Sequence, residues 1–205
     1  MRKKIFFTLI LTSFFVVNSC QLNEVLKPNI IWLVLEDQSQ YFFPFYGDDT
    51  IELQNINQLL DNGIVYEGMN SPYPVCAPSR SAIITGMYPN SIGTGNQRAY
   101  SYYRAEREEH EKQLGFPFYS SKFAEQIKPF TQILRENGYY TSNNSKEDYN
   151  FKLTKEAWDD SSRNASWENR DGSEPFFSVF NFGITHESQI WLRDEQVLKV
   201  NPIDI

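Results

Sequence analysis

Two cysteines occur in the 205-residue chain, and one of them, Cys76, lies in Pro74-Val75-Cys76-Ala77-Pro78-Ser79-Arg80, just ahead of Ser81-Ala82-Ile83-Ile84-Thr85-Gly86. Pro78 suits the first turn of a helix and Gly86 its end. Cys76 therefore falls where unsatisfied backbone N–H groups and the positive end of a helix dipole converge, an arrangement that attracts anions. Arg80 adds a planar guanidinium able to grip two oxygens of a sulfate or phosphate at once. On these residues alone two readings of the cysteine stay open. It is a small buried side chain packed in a turn, or a thiolate nucleophile activated by the dipole and a histidine.

Three other stations carry polar chemistry. Glu36 and Asp37 are adjacent acids that suit a hard divalent cation, the alternative being a solvated acidic turn. Lys146, in "GYYTSNNSKEDYN", reads by default as an exposed loop lysine. His186, in "PFFSVFNFGITHES", is one of two histidines, the other being His110 in a charged stretch. It is either a satisfied structural donor or a proton-transfer group, imidazole being the side chain that titrates nearest neutral pH.

The elements that must hold these stations follow from periodicity. Residues 29–35 form a continuous apolar run, too short for a solitary helix, that reads as a parallel strand buried on both faces. Residues 51–62 place Leu53, Ile56, Leu59 and Leu60 at helical spacing and stop at Gly63. Residues 64–66 look like a short strand, and the charge-dense stretch 100–113 like an exposed helix. A helix over 129–137 stops at Gly138 and leads into a strand at 139–142, and residues 175–182 form another apolar strand. Strands alternating with capped helices predict an α/β domain with a mostly parallel sheet flanked by helices. Such sheets bind ligands beyond the carboxyl ends of their strands, where Glu36-Asp37, Lys146 and His186 all fall.

The composition, 40% hydrophobic and 16% aromatic, supports a packed core. A net charge of −7, from 19 basic and 26 acidic residues, excludes a nucleic-acid partner and requires any anionic substrate to be held by a local positive cluster. Residues 1–17 combine a basic start with an apolar run too short to span a bilayer, the pattern of an export signal. They end in Val17-Asn18-Ser19-Cys20, which resembles a bacterial lipobox. Residues 1–20 thus read as a signal peptide of lipoprotein type and the protein as exported, periplasmic or attached to the outer membrane by a lipid anchor alone. Removal or lipidation of Cys20 leaves Cys76 with no intrachain partner in an oxidising compartment.

Cys76-Ala77-Pro78-Ser79-Arg80, followed after four residues by Thr85-Gly86, matches the sulfatase signature at each of its defined positions, cysteine, proline, serine, arginine, threonine and glycine. From residue 28 to 190 the chain resembles the type I, formylglycine-dependent sulfatases of the alkaline phosphatase superfamily. The resemblance implies that a formylglycine-generating maturation enzyme oxidises Cys76 to an aldehyde, which hydrates to a geminal diol. One hydroxyl attacks sulfur and expels the alcohol; the second then loses its proton, the carbon–oxygen bond breaks, and sulfate leaves as the aldehyde returns. It further implies a catalytic set of Cys76, Arg80, Lys146 and His186, with His186 protonating the leaving alcohol. One calcium ion would be held by Glu36, Asp37 and the modified Cys76.

Three positions depart from the family pattern: Glu36 stands where aspartate is usual, Ser145 where glycine is, and Asp148 where histidine is. Arg98, Trp158 and Trp167 are candidates to line a substrate cleft, although single tryptophans more often belong to the core. Sulfatases are generally longer, so residues 28–205 are expected to form the N-terminal part of a catalytic domain. The expected function is hydrolysis of sulfate esters on a sulfated carbohydrate. The alternatives are a phosphoester or phosphonate hydrolase of the same superfamily and a glycan-binding lipoprotein without turnover.

Overall fold

The computed structural model describes residues 26–48, 50–97, 104–119, 121–122, 126–151 and 153–191. The export signal, Cys20 and Arg98 lie outside the described residues. Four strands, β1 (Ile30–Leu35), β2 (Tyr140–Asn144), β3 (Asp160–Ser161) and β4 (Phe176–Phe182), form one sheet in the order β1-β4-β2-β3. Every pairing is parallel, Ile30 opposite Phe177 and Thr141 opposite Phe177 on the other side. The sheet is therefore of the expected kind, with all carboxyl ends on one edge. Glu36 N–H extends that edge by donating to Phe182 O at 3.2 Å.

The helices are α1 (Gln54–Asp61), α2 (Cys76–Thr85), α3 (Arg104–Leu114) and α4 (Phe130–Glu136). α2 ends as its sequence predicts: Gly86, at φ 66°, takes the left-handed conformation that an L side chain resists and donates to Ala82 O at 2.8 Å. Within it, Ser81 Oγ bonds Ala77 O at 2.8 Å and Thr85 Oγ1 bonds Ser81 O at 2.6 Å, so the small polar residues of a buried helix are satisfied internally.

Alternation along β4 sorts its side chains between two faces. Phe177, Val179 and Asn181 face α2 and α4; Phe177, 2% exposed, is ringed by Trp32 at 4.9 Å, Phe130 at 5.2 Å and Trp158 at 6.3 Å between ring centres. Phe176 and Phe180 face the other way onto Trp167 at 5.5 and 5.4 Å, with Arg170 over the Phe176 ring at 4.9 Å. Both tryptophans offered as cleft residues thus pack against the core strand, Trp158 also bordering the cavity described below.

Two expectations fail. Residues 64–66 form no strand, and Ile64 and Tyr66 are exposed, because no described strand lies beside them to accept their backbone groups. β1 is not buried on both faces: it is the edge of the sheet, and Leu33 is 59% exposed. A run of apolar residues specifies a strand without specifying how much of it neighbouring elements cover. β3, two residues long, carries no periodic signal at all.

Candidate active site

Parallel pairing brings the ends of β1, β4 and β2 together over the N-terminus of α2. Glu36, directly after β1, is 4% exposed and its carboxylate is clamped between two cations, Oε1 on Arg80 Nη2 and Oε2 on Lys146 Nζ. Lys146, in the loop after β2, also lies 3.6 Å from Asp148 Oδ2. Arg80, one turn into α2 from Cys76, directs Nη1 to Lys146 O at 3.3 Å and to Asn181 Oδ1 at 2.9 Å. Both nitrogens of its fork are thus fixed in one plane.

Asp37 closes the opposite side. Its Oδ1 accepts from the Cys76 thiol at 3.8 Å, and its Oδ2 accepts from Glu187 N–H at 2.8 Å and lies 4.0 Å from His186 Nε2. Asp37 and Asp148 hold left-handed backbones, φ 53° and 51°, tolerated better by aspartate than by most residues and kept here only because the surrounding contacts fix them. Ser188 N–H donates to His186 Nδ1 at 3.1 Å. That nitrogen must accept, so a neutral His186 carries its proton on Nε2, the side facing Asp37 and the thiol.

Cys76, Arg80, Lys146, Asn143, Asn181 and Asp37 all border a cavity of about 720 Å³, large enough for a small organic ligand. Burial pushes the Cys76 thiol above its ordinary pKa; Lys146 opposes the rise, and Asp37, Asp148 and Glu36 reinforce it. That direction favours the thiol over the thiolate and so argues against the thiolate-nucleophile reading of the unmodified side chain.

The charge balance of the cluster bears on a metal. Three carboxylates, Glu36, Asp37 and Asp148, meet two permanent cations, Arg80 and Lys146. With neutral histidine this site repels an anion, whereas a divalent cation turns it attractive. Ligand atoms of Glu36, Cys76 and His186 lie within 4.8 Å of one another, with Asp37 beside them. Hard carboxylate oxygens fit a calcium-like cation; a thiol does not, and an oxygen in place of its sulfur would. The residues present therefore fit part of a divalent-cation shell.

All six residues expected at the site, Glu36, Asp37, Cys76, Arg80, Lys146 and His186, are brought together, whereas His110 lies in α3. Sequence reading missed Asn181, Asn143, Glu187 and Ser188. Asn181 had a signal, an amide inside an otherwise largely apolar strand, where a polar group needs a partner.

The Sulfatase family profile matches residues 28–196. An ulvan-active sulfatase of Formosa agariphila is 44% identical over 165 residues, which are 80% of this chain and 26% of that protein. Human N-acetylgalactosamine-6-sulfatase is 32% identical over 78 residues, 37% of this chain and 15% of that protein. Among solved structures, BT4656 in complex with its substrate D-glucosamine-2-N,6-O-disulfate shares the fold over 87% of this chain and 38% of its own, with a TM-score of 0.59 and 18% identity. Ps i-CgsB in complex with k-i-k-neocarrahexaose does so over 87% and 49%, with a TM-score of 0.57 and 17% identity. The chain thus spans about a quarter or less of the curated relatives' length. A profile match across most of the chain, with the signature cysteine at the head of α2 and the paired acids beyond β1, makes this chain a member of the sulfatase family.

Proposed function

We propose that the chain provides the nucleophile-bearing half-site of an exported enzyme that hydrolyses sulfate esters on a carbohydrate. The observation that carries this reading is the Cys76 environment: a thiol at the head of α2 that burial holds protonated, bonded to Asp37 and grouped with Glu36, Lys146 and His186, sits among the groups that a hydroxyl nucleophile and a sulfate need. Glu36 and Asp37 would hold a divalent cation, which would offset the charge of a bound sulfate, and a hydrated aldehyde made from Cys76 would supply the attacking hydroxyl.

The chain's own residues do the rest. Arg80 and Lys146 hold the sulfate oxygens, and the rigid fork of Arg80 orients the ester for in-line attack. Protonated His186, with Nδ1–H donated to Ser188 Oγ and its charge stabilised by Asp37, gives the Nε2 proton to the leaving alkoxide and returns to the neutral imidazole. A carbohydrate substrate is supported by the relatives, whose names and bound ligands include ulvan, N-acetylgalactosamine, a glucosamine disulfate and a neocarrahexaose. Export, to the periplasm or to the outer membrane through a lipidated Cys20, is supported by the basic and apolar start of the chain.

The test is peptide mass spectrometry across Cys76 on protein produced together with a formylglycine-generating enzyme. The aldehyde or its hydrate is expected in place of the thiol. An unmodified thiol in a folded sample sinks the reading.

A further inference from the structure

β4 is apolar apart from Ser178 and Asn181, and Asn181 is committed on every polar atom. Its Nδ2 gives both hydrogens away across the sheet, one to Asn143 Oδ1 at 3.0 Å and one to Asn144 O at 3.1 Å. Asn143, 1% exposed, passes the chain on by donating to Ser161 Oγ at 3.1 Å. An amide whose nitrogen is twice engaged in the sheet presents only its carbonyl oxygen to the helix above. That oxygen receives Arg80 Nη1 at 2.9 Å, at the wall of the cavity that Cys76 and Lys146 also border.

We propose that Asn181 is a positioning residue for Arg80: the ladder Ser161, Asn143, Asn181 fixes the plane of the guanidinium through a neutral acceptor and leaves its charge for the substrate anion. The choice of amide over carboxylate is the point. An aspartate here has similar shape and reach, but it places a second counter-ion on Arg80 beside Glu36 and cancels attraction that an ester sulfate needs. Asn143 can accommodate that carboxylate by rotating its amide, donating from Nδ2 to it and accepting from Ser161 Oγ–H, whereas Asn144 O loses its donor, so thermal unfolding of this variant is followed beside sulfate binding to separate fold from charge. The inference rests on the sulfate-ester reading above for its purpose, and on hydrogen bonding alone for its geometry.

The experiment compares wild type with Asn181→Leu and Asn181→Asp by two further measurements. The first is the side-chain N–H spectrum of Arg80 in 15N-labelled protein, which separates when the guanidinium is held and merges when it rotates freely. The second is calorimetric titration with inorganic sulfate, in calcium and at constant ionic strength. The leucine variant is expected to merge the Arg80 resonances. The aspartate variant is expected to keep them separate while binding sulfate about tenfold more weakly, the scale of one charge-assisted hydrogen bond. Should the leucine variant not fold, Asn181→Ser, which admits water, is read in the same way. Unchanged Arg80 resonances without the amide, or wild-type sulfate affinity with the carboxylate, overturns the proposal. A wild-type chain that binds no sulfate overturns the sulfate-ester reading instead, and the Arg80 resonances then decide the positioning role alone.

Discussion

Replacing Glu36 by glutamine removes the carboxylate that pairs with both Arg80 and Lys146 while keeping nearly the same volume. Loss of one partner of a buried ion pair costs about 3–5 kcal/mol, because the remaining charge is left without solvent or counter-ion. Arg80 and Lys146 side chains retain 15% and 25% exposure, so water relieves part of that penalty and the low end applies. About 3 kcal/mol in a chain of this size corresponds to a fall in Tm of roughly 6–12 °C. Arg80, and Lys146 with only Asp148 left at 3.6 Å, should then accept an anion more readily than in the wild type. In metal-free buffer, sulfate at a hundredfold excess over its Kd restores about 2.7 kcal/mol, nearly the whole loss. Thermal unfolding is followed with sulfate and with chloride at matched ionic strength, so that screening is common to both. The reasoning is refuted if Glu36→Gln unfolds at the wild-type temperature, or if sulfate raises its Tm no more than it raises that of the wild type.

Alkylation of Cys76 by iodoacetamide should be slow at neutral pH and accelerate only above the range of an ordinary thiol, since burial favours the protonated form. Because the folded-state pKa lies above the unfolded one, the associated stability is complete below the unfolded pKa and is lost as pH rises through the folded value; a rate plateau reached below pH 8 would contradict the reading, the ordinary thiol pKa being about 8.5. Phe177→Ala should cost about 3–5 kcal/mol, since it opens a cavity among Trp32, Phe130 and Trp158; a denaturant midpoint close to wild type would show that this aromatic group is not the centre of the core.

What the sequence disclosed depended on whether a residue's role was local. The turn chemistry of α2 was readable because Pro78 and Gly86 act within one turn of themselves, and β4 because five of its seven residues are aromatic or β-branched apolar types. The convergence of Glu36, Lys146 and His186 followed from the rule that parallel strands present their carboxyl ends together. Exposure of β1 was not readable, since it depends on what packs beside Leu33 and not on Leu33. Likewise Asn181 could be recognised as a polar group needing a partner, but Arg80 as that partner is 101 residues away. Residues 64–66 misled because β-branched and aromatic types favour a strand only where a neighbouring strand exists to pair with.

The strand at the middle of the sheet is the last of the four in sequence. β1 and β2 do not pair with each other; β1 gains its strand partner, and β2 a second one beside β3, only when residues 176–182 arrive between them. The clasp over the thiol, Asp37 to Glu187, closes later still, 111 residues after Cys76 has been synthesised. At the ribosome's pace of roughly 5–20 residues per second, the cysteine spends about 5–20 seconds as part of an open chain. For the maturation proposed above, an enzyme acting on the open chain would work against that clock, and the order of strands along the gene sets how long it runs.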